Sequence, residues 1–309
     1  MNAALKLGAI KGCLLPACVM LMSASYTQAQ TSNQFYQLLE QLPHSAFSSE
    51  ERIQHISKAF LGAPYVDGNL GEGEEGRFDR DPLYRFDVFD CTTYVEMVLA
   101  GAISTSKSEF VSHIKDIRYL DGKVSFVTRN HFASADWLIN NQGILRDVTL
   151  DVAGEATMQA VTSINKPAWY QAMGVERLQG LPAEIDQAER LSQLHAAGSQ
   201  LKVEQVSTPY VPLTALFNEQ GSVNQTLLDR IPSGAIISIV RPNYDVTKWI
   251  GTHLNITHQA LALRINGVLY LRHASQTQRE VVDQDFVEYF SHYLDGSTVK
   301  GFNVQQPRF

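Results

Sequence analysis

The sequence predicts an α+β fold, in which a mostly helical N-terminal part packs on a C-terminal antiparallel β-sheet or barrel. Helical spacing of apolar residues dominates up to about residue 205, and strand-like alternation dominates after it. In addition, Asn266-Gly267 joins two strand-like segments, which is the strongest short signal for a β-hairpin. We therefore expect one domain over residues 30–309, with a helical part at 30–205 and a β part at 206–309.

The individual elements follow from the spacing of apolar residues along the chain. Helical spacing covers residues 33–61, with a break at Pro43, and a glycine-rich acidic stretch at 62–85 is expected to be irregular. Further helices are predicted over residues 88–102, 131–141 and 183–198, and strands over residues 124–128, 144–152, 235–240, 257–265 and 268–273, with a last strand near Val304.

Composition limits the class of protein. The chain has 309 residues, of which 44% are hydrophobic, which is enough for a sizeable core. The formal net charge is −7 and basic residues form no block in the sequence. Because phosphate binding needs clustered Lys and Arg, nucleic acid is not expected as a partner.

The N-terminus has the layout of a secretory signal. Lys6 and Lys11 precede a short apolar stretch at residues 13–22, and small and polar residues follow up to Ala29. We therefore predict a signal peptide over residues 1–29 and an exported, periplasmic protein. A lipoprotein signal ending at Cys18 is the weaker alternative, because apolar residues continue beyond that cysteine.

Removal of this signal leaves Cys91 as the one cysteine of the exported chain. Asp90 is a good N-cap residue and would place Cys91 in the first turn of a helix. The helix dipole and the free N–H groups there stabilise a thiolate, so we expect a lowered pKa for this thiol. The same N–H groups can stabilise the oxyanion that forms when sulfur attacks a carbonyl group. Cys91 is thus predicted to be a nucleophile.

The predicted hairpin supplies a base for this thiol. Counting back from the two-residue turn places His258 and His273 on one face of the sheet as diagonal neighbours. Their Cα atoms would lie roughly 7–8 Å apart, within side-chain reach. A cysteine nucleophile needs an imidazole base, and that imidazole needs a group to orient it. The two histidines can fill both roles.

Two other patterns point to other chemistry but lack the context it requires. Residues 71–76 match a dinucleotide-binding fingerprint, yet they follow no strand and carry three glutamates, so we interpret them as a flexible acidic loop and expect no nucleotide. His253 and Asp245, with the hairpin histidines, could be drawn as a zinc site. That reading leaves Cys91 unexplained, and His253, which has the opposite strand parity, is expected at the surface or in a loop. We expect no metal and no other cofactor.

Taken together, these residues resemble a known group of bacterial cell-wall enzymes. Four features resemble the pattern of the NlpC-type papain-fold cysteine hydrolases. They are Gly62-Ala63-Pro64-Tyr65, Asp90-Cys91, the strand-borne His258 and His273-Ala274-Ser275. The branch called N-acetylmuramoyl-L-alanine amidase-like is similar to the longer segment Asp90-Cys91-Thr92-Thr93-Tyr94-Val95-Glu96, together with Arg129-Asn130-His131-Phe132 and Asp136-Trp137.

The resemblance implies a papain-like catalytic domain that hydrolyses an amide of peptidoglycan fragments through a thioester. Cys91 would be the nucleophile, His258 the base and then the acid, His273 its orienter, and Tyr65 a neighbour of the thiol. The implied substrate-binding residues are Arg129, His131, Asp90 and Arg272, in which the two arginines would pair with carboxylates of the muropeptide stem. No protein partner is expected.

The bond that is cleaved remains open at this point. Thr92-Thr93 stand where the wider superfamily usually has Ser-Gly, which favours the bond between the muramic lactyl group and L-alanine. Cleavage of a γ-D-glutamyl-diamino-acid bond on the same scaffold is the first alternative. A metal-dependent hydrolase and a non-catalytic wall-binding protein are the others.

Overall fold

The structure is a computed structural model that describes residues 31–309. The predicted signal peptide at residues 1–29 lies outside the described residues. Within residues 31–309, no helix combines the length and the apolar character needed to cross a membrane.

Short helices are distributed along the described residues. They are α1 Ser32–Gln41, α2 Ser49–Lys58, α3 Cys91–Ala102, α4 Lys107–Arg118, α5 Leu138–Asn140, α6 Thr149–Ala153, α7 Lys166–Gln171, α8 Gln187–Gly198, α9 Leu213–Leu216, α10 Gln225–Asp229, α11 Thr247–Ile250 and α12 Phe286–Ser291. A π-helical turn, Ala133–Trp137, leads directly into α5. Helices α1, α2 and α3 each begin with a capping box, in which the N-cap side chain and the third helical residue exchange hydrogen bonds.

Eight strands of the described part of the chain form one antiparallel sheet. They are β1 Leu145–Asp147, β2 Met158–Asn165, β3 Val203–Pro212, β4 Ala235–Asp245, β5 His253–Ile265, β6 Val268–Ser275, β7 Glu280–Asp285 and β8 Gly301–Pro307. The strand order is β2-β3-β8-β4-β5-β6-β7, and β1 pairs with β8 outside this path. The sheet curls, so that strands that are not neighbours in it approach each other. Asn255 on β5 donates hydrogen bonds to Thr208 of β3 and to the Ala160 carbonyl of β2.

The alternation of side chains along β4 separates two cores. Ile236 and Val240 face the cluster built with α1 to α4, whereas Ile237 and Ile239 face a second cluster built with α9, α10 and α12. Successive strand residues point to opposite faces, so β4 and the neighbouring β5 each contribute to both clusters. The mixed α+β class with a helical N-terminal half is thereby confirmed, with α3 packed against one face of the sheet.

The structure also corrects the predicted elements. Residues 124–128 form a turn instead of a strand, residues 144–152 contain the short β1 and then α6, and β2, β7 and α4 were not predicted. The expected division at residue 205 falls inside β3, which pairs with β2 on one side and with β8 on the other. The helical and β parts therefore share one continuous sheet.

The glycine-rich stretch at 71–76 is folded back on itself. The N–H groups of Gly71, Glu72 and Gly73 donate to backbone carbonyls of residues 79–82. A Cβ atom at Gly71 would lie 2.3 Å from an Asp79 carboxylate oxygen, so the close approach requires glycine. The stretch is thus a hydrogen-bonded loop with a buried Glu72, and the prediction of a flexible acidic loop was wrong on this point.

Candidate active site

Cys91 occupies the first position of α3, as its sequence context predicts. The Asp90 carboxylate accepts a hydrogen bond from the Thr93 N–H at 2.8 Å, and the Thr93 hydroxyl accepts one from the Asp90 N–H at 2.9 Å. From Thr93 onward α3 is buried in the first core, whereas Cys91 itself is half-buried. The reciprocal cap and the buried helix body therefore fix the position of the sulfur at the edge of the core.

The electrostatic state of this thiol differs from the sequence-based expectation. Burial, with a smaller contribution from the neighbouring Asp90 carboxylate, raises the pKa of Cys91 to about 12. Hydrogen bonds from the backbone N–H groups of Gln259 and Thr92 oppose this shift but are weaker. The expectation of a lowered thiol pKa was therefore wrong, because desolvation outweighs the helix N-terminus.

The two histidines of the β5–β6 hairpin are hydrogen-bonded to each other. His258 Nε2 lies 2.7 Å from His273 Nδ1, and the rings meet edge to face at 4.8 Å between centroids. The predicted register at the turn is confirmed, since Ile265 pairs with Val268, and Asn266 has a positive φ of 51°. Strand parity read from the sequence thus identified two side chains that are in direct contact.

Gln284 on β7 completes this chain of hydrogen bonds. Its side-chain oxygen lies 2.7 Å from His273 Nε2, and an amide oxygen can only accept. His273 Nε2 therefore carries the proton, His273 Nδ1 accepts from His258 Nε2–H, and His258 Nδ1 is left unprotonated. The chain gives His258 the tautomer of a base.

Burial keeps both imidazoles neutral. It lowers the pKa of His258 to about 3, with a smaller contribution from His273, and it also lowers the pKa of His273. A neutral thiol thus lies near a neutral imidazole in the resting site. Such a pair can react by general-base catalysis, in which the proton moves as the sulfur attacks.

The thiol and His258 line the same small cavity. Cys91, His258, Gln259 and His131 line this space of about 160 Å³ between α3 and β5. Cys91 also lines a larger cleft of about 390 Å³, together with Tyr65 and other residues. A nucleophile that opens onto a cleft and shares a cavity with a base has access to both substrate and proton acceptor.

Tyr65 is held next to the thiol by backbone hydrogen bonds. Its N–H donates to the Arg279 carbonyl at 2.8 Å, and residue 65 forms an isolated bridge with Phe89, two residues before Cys91. Burial, with a contribution from Cys91, raises the pKa of the Tyr65 phenol. The hydroxyl therefore stays protonated and can donate a hydrogen bond into the cleft.

Arg129 and His131 both line the larger cleft, and each is tied to the protein. Arg129 Nη1 donates to the Leu70 carbonyl at 2.8 Å and lies 3.7 Å from the buried Glu72 carboxylate. His131 Nε2 donates to the Phe126 carbonyl at 2.7 Å, and burial lowers the pKa of His131 to about 3. His131 is thus a neutral group facing the cleft, and Arg129 is an oriented cation.

Arg272 has a structural role instead of the predicted substrate-binding one. It is 2% exposed and forms a two-pronged ion pair with Asp283, with N···O distances of 2.6 and 2.7 Å. It also donates to Ser57 on α2 at 3.0 Å, which joins the sheet to a helix. Because its donors are used inside the protein, Arg272 is not available to a carboxylate of a substrate.

The histidine-rich region does not form a metal site in this structure. His253 begins β5 and lies 3.8 Å from Asp245 at the surface, as its parity predicts, away from the His258–His273 pair. Across residues 31–309, no group of three or more His, Cys, Asp or Glu side chains converges in a way that could hold a metal ion.

Gln284 was missed at the sequence level. The strand that carries it, β7, has the sequence Glu-Val-Val-Asp-Gln-Asp, in which few apolar residues mark the pattern. Its pairing of Val282 with His273 would have placed Gln284 diagonally beside that imidazole. Trp169, whose ring lies 4.7 Å from the His131 ring at the cleft, was also missed. It lies far from the other motifs in sequence.

Comparison with known proteins identifies the family of this chain. The family described as AmiA-like, N-acetylmuramoyl-L-alanine amidase-like, matches residues 55–295. A protein of Legionella pneumophila assigned to the family DUF1460 is 38% identical, with a TM-score of 0.84, over 89% of this chain and 93% of that one. An N-acetylmuramoyl-L-alanine amidase of Bacteroides uniformis shares the fold at 24% identity and a TM-score of 0.60, over 84% of this chain and 99% of that one. No curated protein matches. The chain therefore belongs to the AmiA-like family of N-acetylmuramoyl-L-alanine amidase-like proteins.

Proposed function

We propose that this protein is a cysteine amidase that hydrolyses the bond between the muramic lactyl group and L-alanine in muropeptides. The observation that carries the proposal is the chain from Gln284 through His273 to His258, which ends at the cavity shared with Cys91. An oriented imidazole beside an unpaired thiol at a helix N-terminus is the arrangement that nucleophilic acyl transfer requires. Membership of an amidase-like family gives the class of bond.

The reaction would proceed through a thioester. The Cys91 proton passes to His258 Nδ1 as the sulfur bonds to the carbonyl carbon, and the Cys91 N–H and the Tyr65 hydroxyl stabilise the oxyanion. The His258 imidazolium then gives its proton to the amide nitrogen, so that the C–N bond breaks and the peptide leaves with a free amine. A water molecule, deprotonated by His258, attacks the thioester and releases the muramic carboxylate and the thiol.

Two further elements of the proposal concern fold and location. We infer a papain-like architecture of the NlpC type, supported by a nucleophile on a helix that packs against an antiparallel sheet carrying the histidines. We also infer export to the periplasm, supported by the signal-like pattern of residues 1–29. Fractionation of cells followed by N-terminal sequencing would test export, and a cytoplasmic protein that retains Met1 would refute it.

The direct test of function is mass spectrometry of defined muropeptides after incubation with the purified protein. The wild type should release peptides that begin with L-alanine, and Cys91→Ala should release none. His258→Ala should abolish turnover, whereas His253→Ala, which changes a surface histidine, should turn over at close to the wild-type rate. A released dipeptide would instead indicate γ-D-glutamyl endopeptidase cleavage. Activity in Cys91→Ala that a chelator removes would indicate a metal-dependent hydrolase.

A further inference from the structure

A second pocket borders the histidine pair on the side away from the thiol cleft. This pocket, which we call the arginine pocket, has a volume of about 520 Å³ and is lined by Arg241 and Tyr244 of β4, by His258 and His273, and by Tyr289 and Tyr293 near α12, among others. Cys91 does not line it, whereas His258 lines both this pocket and the cavity shared with Cys91. The imidazole that acts as acid and base therefore separates the thiol from the arginine pocket.

The two sides of the site differ in charge. The cleft beside Cys91 is lined by several carboxylates, including Asp67, Asp79 and Glu176, together with two arginines. No Asp or Glu side chain lines the arginine pocket, and its ionisable groups are Arg241, histidines and tyrosines. A carboxylate ligand would therefore be repelled in part by the first cleft and attracted by the second pocket.

Arg241 has unused hydrogen-bonding capacity. Its Nη1 donates to the Thr298 hydroxyl at 2.7 Å, while its Nε is buried and has no acceptor within residues 31–309. No Asp or Glu of the described chain lies within ion-pair distance of its guanidinium, whose central carbon lies 5.0 Å from the centroid of the Tyr244 ring. A planar guanidinium with free donors matches a carboxylate.

The chemistry of the proposed reaction says which part of the substrate lies there. The general acid must reach the leaving nitrogen. The leaving peptide is therefore expected beside His258 and not in the cleft beside Cys91. This peptide carries carboxylates, whereas the N-acetylated sugar on the acyl side is neutral. We propose that the arginine pocket binds the leaving peptide of the substrate and that Arg241 pairs with one of its carboxylates. This inference rests on the proposed function for its substrate class.

The test compares two substrates that differ only in charge. N-acetylmuramoyl-L-alanyl-D-glutamate and its diamide, in which both carboxylates are amidated, are assayed with the wild type, Arg241→Gln and Arg241→Lys. Loss of a charge-assisted pair should raise the KM of Arg241→Gln for the acid about tenfold or more, with kcat little changed. The KM for the diamide should stay within about twofold. Arg241→Lys, which keeps the charge but not the planar fork, should be intermediate.

A matched control and a binding measurement separate the inference from the proposed function. Arg146→Gln, which removes an exposed arginine paired with Asp151, should behave as the wild type on both substrates. Binding of free L-alanyl-D-glutamate, measured by calorimetry, should weaken about tenfold in Arg241→Gln. Equal loss on acid and diamide, or unchanged binding of the dipeptide, would overturn the role of Arg241. A wild type that binds the dipeptide but cleaves neither substrate would refute the proposed function and leave the pocket assignment standing.

Discussion

At the scale of single residues, the protonation state of the site depends on the acceptor at the end of a hydrogen-bond chain. Gln284 accepts a hydrogen bond from His273 and forms none with Cys91 or His258. It acts as a positioning residue, because the tautomer of His273 decides which nitrogen of His258 is free to take a proton. Such a residue should affect the chemical step and its pH dependence more than substrate binding.

We therefore expect two different effects from two substitutions of Gln284. Gln284→Leu removes the acceptor and should lower kcat about 10- to 100-fold with little change in KM, as for other groups that orient a base. Gln284→Glu places a carboxylate beside His273, which should raise the pKa of the imidazole pair. Because the base must be neutral, the acid limb of the kcat/KM profile should move to higher pH in this variant. A profile that does not move would contradict the assignment.

Because the Cys91 thiol is neutral, we can also predict how its rate of alkylation depends on pH. A thiol whose pKa is about 12 should react with iodoacetamide about tenfold faster for each pH unit between pH 7 and 10. Asp90→Asn keeps an N-cap acceptor but removes the charge that raises this pKa, so it should react faster than the wild type at every pH. Asp87→Asn, which changes a partly exposed carboxylate paired with Arg85, is the control. A rate that is constant from pH 5 upward would show a thiolate–imidazolium pair instead.

At the scale of elements, the loop at residues 71–76 makes the stability of the folded protein depend on pH, because it contains the buried Glu72. Glu72 is 7% exposed, and burial raises its pKa to about 7, against the opposing effect of Arg129. A carboxyl group with a higher pKa in the folded state contributes stability below its unfolded pKa of about 4.5, and this stability is lost as pH rises through 7. The wild type should therefore lose about 2–3 kcal/mol of unfolding free energy from this group between pH 5 and 8.5.

Denaturant titrations of Glu72→Gln would measure this contribution. The variant should show a smaller decrease in unfolding free energy between pH 5 and 8.5 than the wild type, because its side chain does not ionise. Glu74→Gln, two residues away in the same loop but exposed, should follow the wild type. Parallel pH profiles for Glu72→Gln and the wild type would show that Glu72 keeps its ordinary pKa in the folded protein.

The same scale shows which elements a sequence can predict. The helix at Cys91 and the hairpin at Asn266-Gly267 carry local signals, a reciprocal N-cap and a two-residue turn, and both are found where expected. The apolar, β-branched segment at 124–128 instead turns, because Thr128 bonds back to Ser125 and Phe126 packs against His131. The propensity for a strand was overridden there by contacts between residues that are close in sequence. The polar strand β7 owes its position to pairing with β6, which no local pattern encodes.

At the scale of the whole molecule, one sheet unites the two parts that composition separates. β8, at the C-terminal end of the chain, lies between β3 and β4, and its Phe302 pairs with Val211, about 90 residues earlier, and with Ile239, about 60 residues earlier. The site depends on this closure, because α3 brings Cys91 from one part and the β5–β6 hairpin brings the histidines from the other. We therefore expect the chain to unfold as a single unit.

Gly301 is the point at which this closure can be tested. It pairs with Pro212 of β3 and with Val240 of β4, and a Cβ atom there would lie 1.9 Å from the Val211 carbonyl oxygen. Gly301→Ala must push backbone apart and should cost about 2 kcal/mol or more, as overpacking of a core does. Gly143→Ala, where a Cβ atom would meet nothing within 4 Å, should be close to neutral.

In guanidinium titrations, tryptophan fluorescence, which reports partly on Trp137 in the first core, and far-ultraviolet ellipticity should shift together in Gly301→Ala. Separate transitions for the two signals would show that the helical and β parts fold independently, and equal stability of the two alanine variants would show that β3 and β8 do not meet as closely as described.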